Sequence, residues 1–310
     1  MRRTRGKKAL FLINPRSGKG GIKNKLLFIL DILNKGGFQV ETYITQSPLD
    51  AKNKVIMSGK EANVIICSGG DGTLNETVSG MMELKQMPVL GYIPAGSTND
   101  YASSLMIPKQ MEKAARLIVE GKPYPADVGK FGDDRYFIYI AAFGVFTEVS
   151  YQTSQDKKNV LGHQAYMLEA VKSLADIKGR QMRIQWEEGE LEGEFLFGMV
   201  TNTISVGGFK GLVSRDVALD DGYFEAMFIR MPKNPLDLSS IVSYMFLKEE
   251  ENEHVYRFKT RKLKVTAAED IDWVLDGEFG GSRREVEIEN LEKRIRIIRD
   301  IHTERNKGKN

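Results

Sequence analysis

The apolar positions of this chain come in two textures. Up to about residue 125, short apolar runs alternate with stretches whose apolar residues recur every three or four positions. Ala9 to Ile13, Ala62 to Cys67 and Val89 to Ile93 are aliphatic and β-branched, which reads as buried strand. Phe38 to Thr45 alternates as a half-buried strand. Between them the periodicity predicts helices. One carries Leu26, Leu27, Leu30 and Leu33 on one face and stops at Gly36-Gly37. The next opens at Pro48-Leu49-Asp50 and ends near Gly59, and a third carries Leu74, Val78, Met81 and Met82. Such alternation predicts a doubly wound parallel sheet, in which ligands sit beyond the carboxyl ends of the strands.

After residue 125, Ala126–Phe131, Arg135–Ile140, Met182–Trp186, Glu194–Val200, Tyr223–Ile229 and Lys262–Thr266 read as strands joined by short Gly, Asp and Glu turns. This predicts an antiparallel β-sandwich. A long helix is expected from about Asn159 to Lys178, and Glu285–Glu289 with Arg294–Ile298 as a final strand pair.

With 310 residues, 28% charged and 41% hydrophobic, the chain is globular, long enough for two domains, and neither disordered nor fibrous. A net charge of +3 gives no argument for nucleic acid. The basic residues at Met1–Lys8 and Arg305–Lys309 read either as solvated ends or as attraction to anionic headgroups. The single cysteine, Cys67, excludes an intrachain disulfide, points to a cytoplasmic, reducing compartment and reads as a buried small hydrophobe. No secretory signal is visible, and the longest uncharged apolar run, Phe137–Phe146, is far short of the ~20 residues that span a bilayer. Any membrane contact is expected to be peripheral. His163, His254 and His302 are scattered and do not suggest zinc.

Three glycine-rich stretches follow predicted strands. In the run from Cys67 to Glu76, the glycines at 69, 70 and 72 are expected to supply positive φ and to bring backbone amides against a ligand. The N-terminus of the following helix suits a phosphate. Asp71 fits such a site if a divalent cation or a donor hydroxyl lies between it and the phosphate; the plainer reading is an Asp-Gly turn. Asn14 to Gly21 is not a Walker A loop, because the leading glycine is missing and Gly20 stands where Ser or Thr would hold magnesium. Nor is there a Gly-x-Gly-x-x-Gly with a following acid to support a dinucleotide fold. Asn14 and Ser17 could touch a nucleotide, and Ser17 reads equally as a helix cap. The third stretch is Pro94 to Asp100.

Five motifs in series, Asn14-Pro15-Arg16-Ser17-Gly18, Gly69-Gly70-Asp71-Gly72-Thr73, Gly96-Ser97-Thr98-Asn99-Asp100, Leu219-Asp220-Asp221-Gly222-Tyr223 and Asp276-Gly277-Glu278, resemble the diacylglycerol kinase catalytic family in its bacterial soluble form. Sphingosine and ceramide kinases are relatives, and NAD kinases more distant ones. The resemblance implies an ATP-binding α/β domain over residues 1–126, to which 296–310 returns, and a β-sandwich substrate and metal domain over 127–295, with ATP in the cleft between. It implies ATP contacts from Asn14, Thr45, Gly69, Gly70, Asp71, Gly72, Thr73, Leu74, Asn75 and Ser97, the last replacing the family's usual Thr but keeping a hydroxyl. It also implies a structural Mg2+ near Asp221 with the carbonyls of Ala218 and Tyr223, linked through water to Asp127.

Phosphoryl transfer asks a protein mainly for positioning and charge neutralisation, plus a carboxylate to take the acceptor's proton. The resemblance implies Glu278 as that base, with Asp276 orienting it or reaching metal, and Asp71 binding catalytic Mg2+ or ordering the phosphates. Without the resemblance, Asp-Gly-Glu reads as a hairpin turn. The expected acceptor is a membrane lipid alcohol, foremost diacylglycerol giving phosphatidic acid, met by peripheral contact at the inner membrane surface. The helix over 159–178, Val206–Phe209 and Phe279-Gly280-Gly281 could border its path, although the helix could equally just cover the sandwich core. The alternatives are a kinase of a soluble acceptor, as in NAD kinases, and a non-catalytic nucleotide-binding regulator, against which the intact Asp71, Asp276 and Glu278 speak. No nucleic-acid partner is expected, and a homodimer is left open.

Overall fold

The structure, a computed structural model, describes residues 6–18, 20–144, 178–204, 217–247 and 252–300. The helix expected over 159–178, the 206–209 segment, His163, His302 and the basic runs at 1–5 and 301–310 lie outside them, Lys178 apart.

The first lobe is built on four parallel strands, β1 (Lys7–Ile13), β2 (Phe38–Ile44), β3 (Val64–Gly69) and β4 (Val89–Pro94), in the order β2-β1-β3-β4. Helix α1 (Leu26–Lys35) carries the chain from β1 out to β2, and α2 (Asp50–Ser58) carries it back across β1 to β3. Right-handed crossovers running in opposite directions put the two helices on opposite faces. Accordingly α2 packs with α3 (Asp71–Met82), while α1 packs with α5 (Met111–Glu120), which follows the short α4 (Asp100–Ser104). Cys67 is fully buried in β3, as its run of apolar neighbours predicts.

The expected face of α1 needs correction. Ile29 and Leu33 are buried, with Ile22 from the preceding turn, but Leu27 is 81% exposed and Phe28 64%. The entry into α1 is a 3-10 turn at Gly21–Asn24, and the register that buries Ile22, Ile29 and Leu33 leaves Leu27 about 100° round from Leu26, facing water.

Among the described residues beyond α5 every strand pairing is antiparallel, except where the chain returns to the first lobe. The strands are β5 (Lys122–Phe131), β6 (Arg135–Phe137), β7 (Ile140–Gly144), β8 (Arg180–Trp186), β9 (Gly189–Thr201), β10 (Phe224–Arg230), β11 (Val255–Thr260), β12 (Lys262–Leu275) and β13 (Glu278–Arg299), with helix α6 (Pro235–Leu247) between β10 and β11. An aromatic cluster fills one side of this lobe. Trp273 meets Phe131 and Phe143 edge-on at centroid distances of 5.2 and 5.0 Å, and Phe137 stacks on Phe224. Such pairs add about 0.5–1.5 kcal/mol each to what their buried area contributes.

The strand pair expected at the end is instead one strand of 22 residues, β13. It runs beside β12 and β5 and reaches β4, where Ile297 lies parallel to Leu90. A jog between Leu291 and Ile295, with Lys293 at φ 51°, separates the stretches that the sequence presents as two strands. The result is one continuous sheet path, parallel in the first lobe and antiparallel in the second, with β13 and β5 as the ribbon between. The expected strand over 135–140 is also interrupted, at Ile138-Tyr139, because the amides there are turned to another partner.

Candidate active site

The carboxyl ends of β1, β3 and β4 are stitched together: Asn14 N–H donates to Ser68 O at 2.9 Å, Ala95 N–H to Gly69 O at 2.8 Å and Thr45 N–H to Ile13 O at 2.9 Å. All three glycine-rich loops therefore leave the sheet at one edge. A cleft of about 570 Å³ opens there between the lobes. The first lobe lines it with Asn14, Arg16, Thr45 to Leu49, Gly72, Thr73, Asn75, Glu76 and Ser79, and the second with Asp134 to Tyr136, Leu275, Glu278 and Phe279.

The glycines of the central loop act differently from the sequence expectation. None of Gly69, Gly70 and Gly72 has positive φ; Gly70, which caps α3, is extended at φ −86° and ψ −175°. What they supply is close approach. A Cβ on Gly96 would lie 2.6 Å from the Gly70 Cα, so the second and third loops touch backbone to backbone. A Cβ on Gly72 would lie 3.2 Å from Glu278 Oε1, so this glycine lets the far lobe's carboxylate settle over the first turn of α3. Gly96→Ala is expected to force the two loops apart at a cost of about 1–3 kcal/mol, read as a lower urea midpoint; an unchanged midpoint would contradict the backbone contact.

Ser17 is not the cap of the following helical turn, which starts at Gly21 with Gly20 (φ 68°) in the cap position and no side-chain cap; its Oγ accepts the Gly70 N–H at 3.2 Å and ties the first loop to the second. Asn14 donates from Nδ2 to Thr73 Oγ1 at 2.8 Å, fixing the amide at the cleft floor. Leu74 is fully buried, so it offers the cleft only backbone. Ser97 is exposed on the third loop and does not line the cleft.

Asp71, also off the cleft lining, turns its carboxylate toward the start of α4, where Oδ2 accepts the Asp100 N–H at 3.1 Å. Oδ1 is buried without a hydrogen-bond partner among the described residues. Burial pushes the pKa up to about 6, against the backbone donors that hold it down. A buried, unpartnered carboxylate oxygen of this kind suits a cation.

Asp276 and Gly277, at φ 50° and 87°, form the two-residue hairpin turn between β12 and β13. The turn reading and the functional one therefore apply to the same three residues. Asp276 points inward and is 3% exposed. Its Oδ2 accepts Ile138 N–H at 2.7 Å and Asn75 Nδ2 at 2.6 Å; its Oδ1 accepts Tyr139 N–H at 2.9 Å and Ile140 N–H at 3.1 Å. These amides are the ones whose diversion breaks the strand between β6 and β7. Four donors fill the carboxylate's acceptor sites, which corrects the expectation that Asp276 reaches a metal. Burial drives its pKa up to about 7 against those donors. Asn75 also donates to Tyr136 O at 2.9 Å and so ties α3 to the second lobe. Glu278, one residue past the turn, is exposed in the cleft.

The proposed metal residues gather around another loop. Asp127, fully buried, accepts Gly222 N–H at 2.8 Å and Lys293 N–H at 2.7 Å, while Asp221 Oδ1 accepts Tyr223 N–H at 2.9 Å. Burial raises the Asp127 pKa and pushes Glu225 up to about 7, with Asp221 adding repulsion in both cases. Glu225 Oε2 is buried and unpartnered among the described residues, with Lys259 Nζ 3.2 Å from Oε1. Crowded, repelling carboxylates of this kind fit a cation. Among the described residues no three acidic, His or Cys side chains converge on a metal, so a site here would need backbone carbonyls such as those of Ala218 and Tyr223.

Sequence reasoning missed Glu76, whose Oε1 accepts the Leu49 N–H at 2.8 Å and holds the loop before α2. It also missed Arg135, which donates from Nη1 to Phe279 O at 3.0 Å. Glu76 could have been found as an acidic residue one turn on from Thr73 on the same helix; Arg135 carried no signal.

The family model for the diacylglycerol kinase catalytic domain matches residues 8–131. A diacylglycerol kinase of Bacillus subtilis (strain 168) is 34% identical over 296 residues, covering 94% of this chain and 96% of its own. One from Staphylococcus saprophyticus is 35% identical over 278 residues, covering 89% and 90%. Two solved structures from Bacillus anthracis superimpose on the chain. One has 25% identity and a TM-score of 0.80, covering 96% of this chain and 97% of its own. The other, described as a diacylglycerol kinase, has 22% identity and a TM-score of 0.75, covering 96% and 99%, and shares the fold. The protein is thus a lipid kinase. It belongs to the diacylglycerol kinase catalytic-domain family.

Proposed function

We propose that this enzyme transfers the γ-phosphoryl group of ATP to the hydroxyl of a membrane lipid, diacylglycerol foremost, giving phosphatidic acid. One observation carries the reading: Glu278, from the second lobe, stands over Gly72 at the N-terminus of α3, so a carboxylate meets a phosphate-binding helix end across the cleft. ATP lies in that cleft against Asn14, Thr45, Thr73 and Asn75, with the amides from Gly69 to Gly72 toward its phosphates. Glu278 accepts the acceptor's proton. The acceptor oxygen forms the new P–O bond as the bond to the β-phosphate breaks, its electron pair leaving on ADP. Asp276 positions Glu278 by pinning the turn.

Asp71 would hold a magnesium ion through its open Oδ1, and Asp221, Asp127 and the 218–223 loop a second one; such ions supply charge neutralisation at the phosphates and rigidity at the loop. Among the described residues no helix is long and apolar enough to cross a membrane. In our reading the acceptor is met by peripheral contact from the cytoplasmic side. The test is incubation with γ-labelled ATP and either diacylglycerol micelles or soluble alcohols, including NAD. Label is expected in phosphatidic acid; label only in a soluble product would overturn the lipid assignment.

A further inference from the structure

Leu49 stands where leucine is a costly choice. The Asp50 N–H donates back to Ser47 O at 3.3 Å, and Leu49, at φ 66° and ψ 0°, follows Pro48 inside that turn. Proline and then a left-handed residue is the type II pattern, which favours Gly or Asn after the proline. Leucine there is strained. Glu76 holds the conformation, its Oε1 accepting the Leu49 N–H at 2.8 Å. The side chain returns nothing to the fold, because it is 58% exposed and lies outside both core clusters. It lines the cleft instead. Phe279 is its counterpart on the second lobe. It is 52% exposed, lines the same cleft and is fixed through its carbonyl, which accepts Arg135 Nη1 at 3.0 Å. Helix α3 relates the two anchors. Glu278, next to Phe279, stands over Gly72, and Glu76, which holds Leu49, is one turn further along the same face.

Beside Leu49 the lining is mainly polar, with Thr45, Gln46 and Ser47 on the same loop and Lys52 on α2. An acyl chain needs a continuous apolar wall, which such a lining does not give it. A flat ring with hydrogen-bonding edges suits apolar side chains set among polar ones. We propose that Leu49 is a specificity-determining residue for the nucleotide, packing on the nucleobase of ATP, with Phe279 closing on the base from the second lobe. The strain at Leu49 is then kept for what the side chain does in the cleft. This rests on the ATP-dependent reading above, and it adds that the base, as well as the phosphates, is held from both lobes.

Leu49→Gly in the full chain tests it, because glycine takes φ 66° without strain, keeps the N–H for Glu76 and removes only the side chain. The expected result is a KM for ATP raised about 10-fold, with kcat and the KM for diacylglycerol changed less than about threefold. The thermal midpoint is expected to stay near that of the wild type, since the strain relieved offsets the freedom that glycine adds to the unfolded chain. Tripolyphosphate has the phosphates without the base, so as a competitor of ATP it is expected to inhibit variant and wild type equally. Phe279→Ala is expected to raise the KM for ATP in the same way. A KM for ATP within about twofold of wild type in Leu49→Gly overturns the proposal. So does a KM that rises for diacylglycerol instead, which would put Leu49 against the acceptor. Weaker tripolyphosphate inhibition with a lowered midpoint overturns it as well, because the loop itself would have moved. An unchanged KM for ATP in Phe279→Ala removes the contact from the second lobe. A wild-type chain that binds no ATP overturns the underlying reading and the proposal with it, whereas ATP-dependent phosphorylation unaffected by Leu49→Gly overturns the proposal alone.

Discussion

Glu278→Gln is expected to lower kcat for lipid phosphorylation by about 10²–10⁴-fold, the range that a positioned general base contributes, while ATP affinity and thermal midpoint stay near wild type. Glutamine has the same shape, so it can occupy the space above Gly72, but it cannot take the acceptor's proton. The side chain is exposed in the cleft and lies outside both core clusters, which is why stability should not follow activity down. Single-turnover transfer from labelled ATP to diacylglycerol separates chemistry from product release and reads the effect directly. A variant that turns over within about threefold of wild type would remove Glu278 as base and, with it, the argument that the two lobes meet for chemistry at Gly72.

How far the sequence discloses this site depends on the kind of contact involved. The strand–loop–helix alternation of the first lobe is legible because β1 from Ala9 to Ile13, β3 from Val64 to Cys67 and β4 are apolar runs and α3 presents Leu74, Val78 and Met81 at helical spacing. The same spacing misleads in α1, where four leucines look alike and only the 3-10 entry turn decides that Leu27 faces water. Glycine is ambiguous in a similar way. Gly69, Gly70 and Gly72 mark a functional turn, yet their role is space for Thr73, Gly96 and Glu278 rather than positive φ, and those neighbours come from anywhere between four and about two hundred residues away. The interruption at Ile138-Tyr139 is invisible locally because its cause, the Asp276 carboxylate, sits 137 positions away from Tyr139. β13 reads as two strands because its jog near Lys293 breaks the alternation, while its partners β5 and β12 on either side keep it one.

The Asp276 turn accounts for the second large effect. Asp276→Ala leaves three backbone amides and the Asn75 side chain without their acceptor in a site 3% exposed, and it places alanine at φ 50°. Each unmet buried donor costs about 1–3 kcal/mol, less than additively where water can enter. A total loss of several kcal/mol lowers the thermal midpoint by on the order of 10 °C. Asp276→Asn separates the two causes. Asparagine tolerates the left-handed backbone, but its amide group puts donors where the donors of the protein converge. The Asn variant is therefore expected to fall nearly as far as Ala in calorimetry, and to lose lipid phosphorylation because the turn no longer fixes Glu278 over Gly72. If Asn keeps the wild-type midpoint, backbone conformation alone holds the turn and the four accepted hydrogen bonds are dispensable. If it keeps the wild-type rate despite a lower midpoint, Glu278 is positioned by β13 and the packing against Gly72 rather than through Asp276.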